Sequence, residues 1–147
     1  MIELKRPLGC NVYNKLLEVW GSSVRATHSF LSDEHFSYFM QEIPSYFPQV
    51  DLTGAFIDGE LVGFSGIAEG RLDMLFVADE ARHQGVGSAL LRDGLARNHA
   101  LTVEVNEQNP AAVGFYESHG FVAKRRDEVD GFGFPYPVLH MELQESD

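Results

Sequence analysis

The residues with most scope for chemistry stand in one short stretch, Arg82-His83-Gln84-Gly85-Val86-Gly87-Ser88. A strand-like segment, Leu72 to Val77, precedes it, and Ala89, Leu90, Leu91 and Leu95 follow at helical spacing. The first N–H groups of a helix have no acceptor within the helix, and its dipole adds positive potential there. A turn built this way can hold an anion, and glycine lets a pyrophosphate approach with no Cβ in the way. The same Gly-x-Gly also makes an ordinary tight turn, so the pair by itself does not choose between binding and geometry. Glu104 lies about 20 residues beyond, as the dinucleotide-binding fingerprint asks. Against that reading, the third glycine position is Leu90, and an antiparallel hairpin precedes the turn. No Gly-Lys-Ser/Thr follows the glycines, so this is not a nucleoside-triphosphate loop. Gly63-Phe64-Ser65-Gly66 lacks the Gly-x-Ser-x-Gly spacing of a nucleophile elbow. His28, His35, His83, His99, His119 and His140 form no His-x-x-x-His pair, and Cys10 is the single cysteine, so no metal is expected.

The elements that must position this turn follow from the pattern around it. Ile2, Leu4 and Arg6 suggest a short first strand that stops at Pro7. Asn11 to Trp20 reads as a helix that Gly21 ends. A second helix starts at the cap Ser32-Asp33, carries Phe36, Phe39, Met40 and Ile43 on one side, and closes at Pro44 and Pro48. The period then changes. Leu52 to Ile57 and Leu61 to Ile67 flank Asp58-Gly59, a hairpin signal, and Leu72 to Val77 is the next strand. After the helix Gly87 to Arg97 come a strand, Leu101 to Val105, and a helix opened by Asn109-Pro110 and ended by Gly120. Phe121 to Ala123 and Val138 to Leu143 complete the strands. The expectation is one α/β (α+β) domain over residues 1–147, with a mixed, mostly antiparallel sheet of about seven strands flanked by about four helices.

In this context the segment from Arg82 to Gly87 resembles motif A of the GCN5-related N-acetyltransferase superfamily, Arg/Gln-x-x-Gly-x-Gly/Ala. Val103 to Phe121 resembles the family's motif B, Asn-x-x-Ala-x-x-Phe-Tyr-x-x-x-Gly-Phe, matched at Asn109, Ala112, Phe115, Tyr116, Gly120 and Phe121. The likeness covers residues 60 to 143 well, and the N-terminal third by layout only. Ser23 to Leu31 and Gly133 to Pro137 also look like segments of a bacterial subgroup of small N-acetyltransferases, some described as protein lysine acetyltransferases. The resemblance implies acetyl-coenzyme A as cosubstrate, no metal, and direct attack by a primary amine in a ternary complex. It implies that Arg82, His83, Gln84, Gly85, Val86, Gly87 and Ser88 hold the pyrophosphate, while Leu75, Phe76 and Val77 pair with the pantetheine arm. Asn109 and Phe115 join the cofactor site, although capping already explains Asn109. Tyr116 matches the position of the general acid at the sulfur, with an aromatic on a helix packing into the sheet as the plain alternative. Asp73 and Glu104 are candidates for the general base, with exposed strand residues as the plain alternative. Arg25, His28 and Tyr136 are candidates for the acceptor pocket, with Arg25 and His28 in the loop between the N-terminal helices. A domain that binds acetyl-coenzyme A without catalysis is the alternative reading, and only Tyr116 argues against it.

Bulk properties narrow the partners. The formal net charge is −11, which disfavours nucleic acid, since phosphate binding needs a basic face, and favours a cationic substrate. The apolar stretches are too broken to span a bilayer and no apolar leader follows the N-terminus, so no membrane partner and a cytoplasmic location are expected. Homodimers are common among the relatives the chain resembles. The acceptor, a small-molecule amine or a protein lysine, is left open.

Overall fold

The computed structural model describes residues 1–144. Seven strands form one sheet in the order β1-β2-β3-β4-β5-β7-β6. They are β1 (Ile2–Lys5), β2 (Asp51–Ile57), β3 (Glu60–Ala68), β4 (Arg71–Val77), β5 (Thr102–Asn106), β6 (Phe121–Asp127) and β7 (Val138–Leu143). Only β4 and β5 run parallel. The helices are α1 (Tyr13–Thr27), α2 (Asp33–Glu42), α3 (Val86–Arg97) and α4 (Pro110–Ser118). The architecture is the expected mixed sheet flanked by four helices.

Local chemistry explains most of these elements. Asp58 (φ 51°) and Gly59 (φ 81°) both take the left-handed conformation that a two-residue hairpin needs. The Ser32 hydroxyl accepts the His35 N–H at 3.1 Å and caps α2, whose first turn carries Asp33 and Glu34. Leu16, Val19, Trp20, Ser23 and Val24 form the buried stripe of α1 at the spacing a core-facing helix requires. That stripe packs with Phe36, Phe47, Phe64 and Met74 into one core under α1 and α2. Val86 and Leu90 close the opposite side of the sheet with Ala55 and Val62.

Two boundaries differ from the sequence expectation. Gly21 does not end α1, which continues to Thr27. Gly21 is buried, and a Cβ there would meet the Met40 Cε at 3.4 Å, so this glycine admits α2 rather than breaking the helix. As a result Arg25 sits on the last turn of α1, not in the following loop, and its guanidinium lies over the Phe36 ring at 4.0 Å. β6 extends through Lys124 to Asp127, polar residues whose pairing with β7 leaves them exposed at a sheet edge.

Candidate active site

The site begins where the two parallel strands part. β4 and β5 pair at Arg71 with Thr102 and at Leu72 with Val103, and there the ladder ends although both strands continue. From Asp73 onward the edge of β4 that faces β5 has no strand partner, so its backbone groups line an opening rather than a sheet. The opening is a cleft of about 490 Å³ walled by β4, β5 and the first turns of α3 and α4.

One end of the cleft is the glycine turn. Gly85 is the N-cap of α3, with φ 85° and no side chain capping the helix. The first bond within α3 runs from Ala89 N–H to the Gly85 carbonyl, so Val86, Gly87 and Ser88 keep N–H groups without intrahelical acceptors. His83 is also left-handed, at φ 66°, which curls the turn into a concave array of N–H groups suited to an anion. A Cβ on Gly85 would meet nothing within 4 Å, so the conformation, rather than crowding, requires glycine there. Gly87 is different. A Cβ on it would touch the Phe115 ring at 3.4 Å, so the two helices approach each other at that point.

Of the cofactor candidates, Leu75, Phe76, Val77, Arg82, His83, Gly85, Val86, Gly87, Ser88, Asn109 and Phe115 all wall this cleft. Gln84 does not; its amide reaches back to the Glu80 carbonyl at 3.4 Å. Asn109 is buried and accepts the Ala112 N–H at 3.2 Å, the capping role its sequence position implies. Tyr116 also walls the cleft, yet it is 8% exposed and packs with Val105 and Phe121, while Phe115 is the more exposed of the pair. Burial alone pushes the Tyr116 phenol above its ordinary pKa, so it remains protonated at neutral pH.

A second cavity, about 250 Å³, adjoins the first. His28, Asp73, Phe76, Glu104 and Asn106 wall both, and so mark the junction. Asp73 is held by Arg71 through Nε at 2.5 Å, and Glu104 Oε1 lies 3.3 Å from His140 Nδ1. The outer wall of the second cavity is aromatic: Phe30, Phe39, Phe132 and Tyr136. Tyr136 hydrogen-bonds His35, whose ring stacks on Phe134 at 4.3 Å and ties the β6–β7 loop to α2. Arg25 walls neither cavity.

Sequence reasoning missed Thr27, Asn106, Asp130 and Phe132. Asn106 ends β5 and has a buried side-chain oxygen with no protein partner, which no local pattern announces. Phe132 could have been read from the alternation Phe132, Phe134, Tyr136 in a loop otherwise rich in glycine and proline.

Comparison with known proteins defines the class. The acetyltransferase (GNAT) domain model matches residues 18–144. The chain belongs to the GNAT acetyltransferase family. It is 40% identical over 128 residues to the peptidyl-lysine N-acetyltransferase YjaB of Salmonella typhimurium, covering 86% of this chain and 88% of that protein. The solution structure of apo-form YjaB from Escherichia coli superposes with a TM-score of 0.91 at 35% identity, over 99% of both chains. The paia N-acetyltransferase of Thermoplasma acidophilum, solved in complex with coenzyme A, shares the fold at a TM-score of 0.76, with 23% identity and 99% coverage of both chains. The protein is therefore an N-acetyltransferase, an enzyme that moves an acetyl group from acetyl-coenzyme A to an amine. Among the described residues no helix is long and apolar enough to cross a membrane.

Proposed function

We propose that the acceptor is a lysine side chain of a polypeptide, acetylated by direct attack on bound acetyl-coenzyme A. The observation that carries this reading is the second cavity, an aromatic channel with carboxylates around it. Phe30, Phe76, Phe132 and Tyr136 suit the four-carbon stem of lysine, while Asp73, Glu104 and Asp130 suit its ammonium. Tyr38, Val129 and Phe132 are exposed beside it, and with Met1 they are the large apolar residues left open to solvent among the described residues. Phe132 and Tyr38 touch, with ring centroids 5.7 Å apart, which gives the residues flanking a lysine something to cover. The chain's net charge of −11 draws such a cationic substrate in. The relatives named peptidyl-lysine N-acetyltransferases support the same choice.

In this reading the N–H groups of Val86, Gly87 and Ser88 hold the pyrophosphate, and the unpaired edge of β4 from Leu75 to Val77 receives the pantetheine amides. A lysine ammonium, with a pKa of about 10.4, must lose a proton before it can attack. Asp73 and Glu104 are the carboxylates placed to take it, directly or through water. The amine lone pair then forms the new C–N bond at the thioester carbonyl, the C–S bond breaks, the sulfur leaves with the electron pair, and the proton shed by the acylated nitrogen ends on that sulfur. Tyr116 stands at that sulfur, in the position the family gives its general acid. A thiol has a pKa of about 8.5, below a phenol that burial has raised, so Tyr116 serves the sulfur chiefly as a hydrogen-bond donor. We place the enzyme in the cytosol, where the exposed free thiol of Cys10 stays reduced.

Mass spectrometry of a lysine-scanning peptide library incubated with acetyl-coenzyme A tests the assignment. Acetylation confined to lysine side chains is expected, with preference for apolar neighbours. Turnover of free polyamines or aminoglycosides with no peptide product would overturn it.

A further inference from the structure

His28 stands where the two cavities meet, and its hydrogen bonds fix which of its nitrogens is free. The Thr27 hydroxyl donates to the Ser23 carbonyl at 2.8 Å. A hydroxyl has one hydrogen, so its other contact, 2.7 Å from His28 Nδ1, must be one in which the hydroxyl oxygen accepts. Nδ1 therefore carries the proton. In a neutral imidazole that leaves Nε2, across the ring, as a bare lone pair. The ring is kept in place from another side by Phe30, whose centroid lies 5.2 Å away.

The other polar groups at the junction are mostly of a different chemical kind, carboxylates that suit the ammonium rather than the neutral amine. Asp73 on β4 is a carboxylate engaged by Arg71, and Glu104 on β5 is a carboxylate 3.3 Å from His140 Nδ1, whose Nε2 meets Asp127 at 2.7 Å. Asp130 in the β6–β7 loop accepts the N–H groups of Phe132 and Phe134, each at 2.9 Å. Tyr136 is bonded to His35. Among the described residues His28 Nε2 and the unpartnered Oδ1 of Asn106 are the neutral acceptors at the junction.

We propose that His28 receives the acceptor amine, its Nε2 accepting a hydrogen bond from the amine N–H so that the nitrogen lone pair points at the thioester carbonyl. Thr27 is then a positioning residue that fixes the tautomer, and the Ser23 carbonyl fixes Thr27. The inference rests on the reading of this cleft as an amine acetylation site. His28 does not take the proton in this scheme. Desolvation lowers its pKa to about 4, so the ring stays neutral while the carboxylates or water take the charge. A neutral acceptor suits the deprotonated amine, since it can hold an N–H without pulling the ammonium form into place as a carboxylate does.

The test combines kinetics with nitrogen-15 NMR of the imidazole rings. In the wild-type spectrum at neutral pH, His28 should show a protonated Nδ1 and a bare Nε2, and Thr27→Val should introduce the other tautomer. His28→Leu should lower kcat/KM for a lysine peptide by about thirtyfold, with acetyl-coenzyme A affinity within about twofold of wild type. His28→Gln, whose side-chain oxygen can stand in for Nε2, should recover part of that loss. Thr27→Val should fall between wild type and His28→Leu. A protonated Nε2 in the wild type, or unchanged peptide kinetics in His28→Leu, would overturn the proposal. Failure of the wild-type enzyme to acetylate any amine would instead overturn the reading beneath it, whatever the tautomer.

Discussion

The turn from Arg82 to Ser88 and the wall from Phe132 to Tyr136 border adjoining parts of one cleft, yet they are made in opposite ways. The turn works through its backbone: N–H groups freed at the start of α3, held by left-handed conformations at His83 and Gly85. The wall works through side chains, rings that meet α2 through Tyr38, Phe39 and His35. A backbone site recognises a group that does not vary, such as a pyrophosphate, and tolerates drift in most of its side chains. A side-chain site can be retuned one residue at a time, which suits the half of the cleft proposed to select the acceptor.

The comparison breaks if the two halves fail to separate in kinetics. Tyr116→Phe, at the place proposed for the sulfur between them, should lower kcat by roughly a hundredfold and leave acetyl-coenzyme A affinity within about twofold. Equal loss of both would make Tyr116 a packing residue against Val105 and Phe121. Gly85→Val should raise the Kd for acetyl-coenzyme A by roughly twentyfold in calorimetry, while the peptide KM stays near wild type. A β-branched residue at φ 85° costs about 1–2 kcal/mol, so the turn spends most of its time in a conformation that does not bind. Phe132→Ala should do the converse, raising the peptide KM about fivefold through lost apolar contact and leaving cofactor binding untouched. A cofactor defect in Phe132→Ala would mean that the β6–β7 loop shapes both halves.

The same division decides what could be read from the sequence. The turn, the Asp58-Gly59 hairpin and the Asn109-Pro110 cap are each written within a few consecutive residues, because local backbone geometry demands particular residue types. The resemblance of Arg82 to Gly87 and Asn109 to Phe121 to the family motifs rests on that same local demand. The aromatic half is assembled from distant residues. His35 meets Tyr136 across 101 positions of sequence, and no periodicity connects them. Arg25 and Gly21 show the limit inside a single element. Glycine is a helix terminator by propensity, and only the approach of Met40 and Phe36 reveals that here it serves packing. That reversal carried Arg25 out of the loop and onto the flank of Phe36. Asn106 was equally hidden, since its importance comes from the parting of β4 and β5, a property of register.

The smallest effect in this series concerns stability. His28 titrates near pH 6.5 in an unfolded chain and at about 4 in the folded protein, because its burial disfavours the charged ring. Between those values the unfolded chain binds more protons than the folded one, so stability rises with pH across the window and is level above it. The contribution is fully present above pH 6.5 and is lost as pH falls toward 4. The ring is half-buried and water screens its charge, so the contribution is about 1 kcal/mol. Urea denaturation of wild type and His28→Gln at pH 7 and pH 5 measures it directly. The wild type should lose about 1 kcal/mol more than the variant on acidification. Equal losses would mean that water reaches the ring freely, and the junction between the two cavities would then be wetter than the packing of Phe30 and Thr27 around His28 implies.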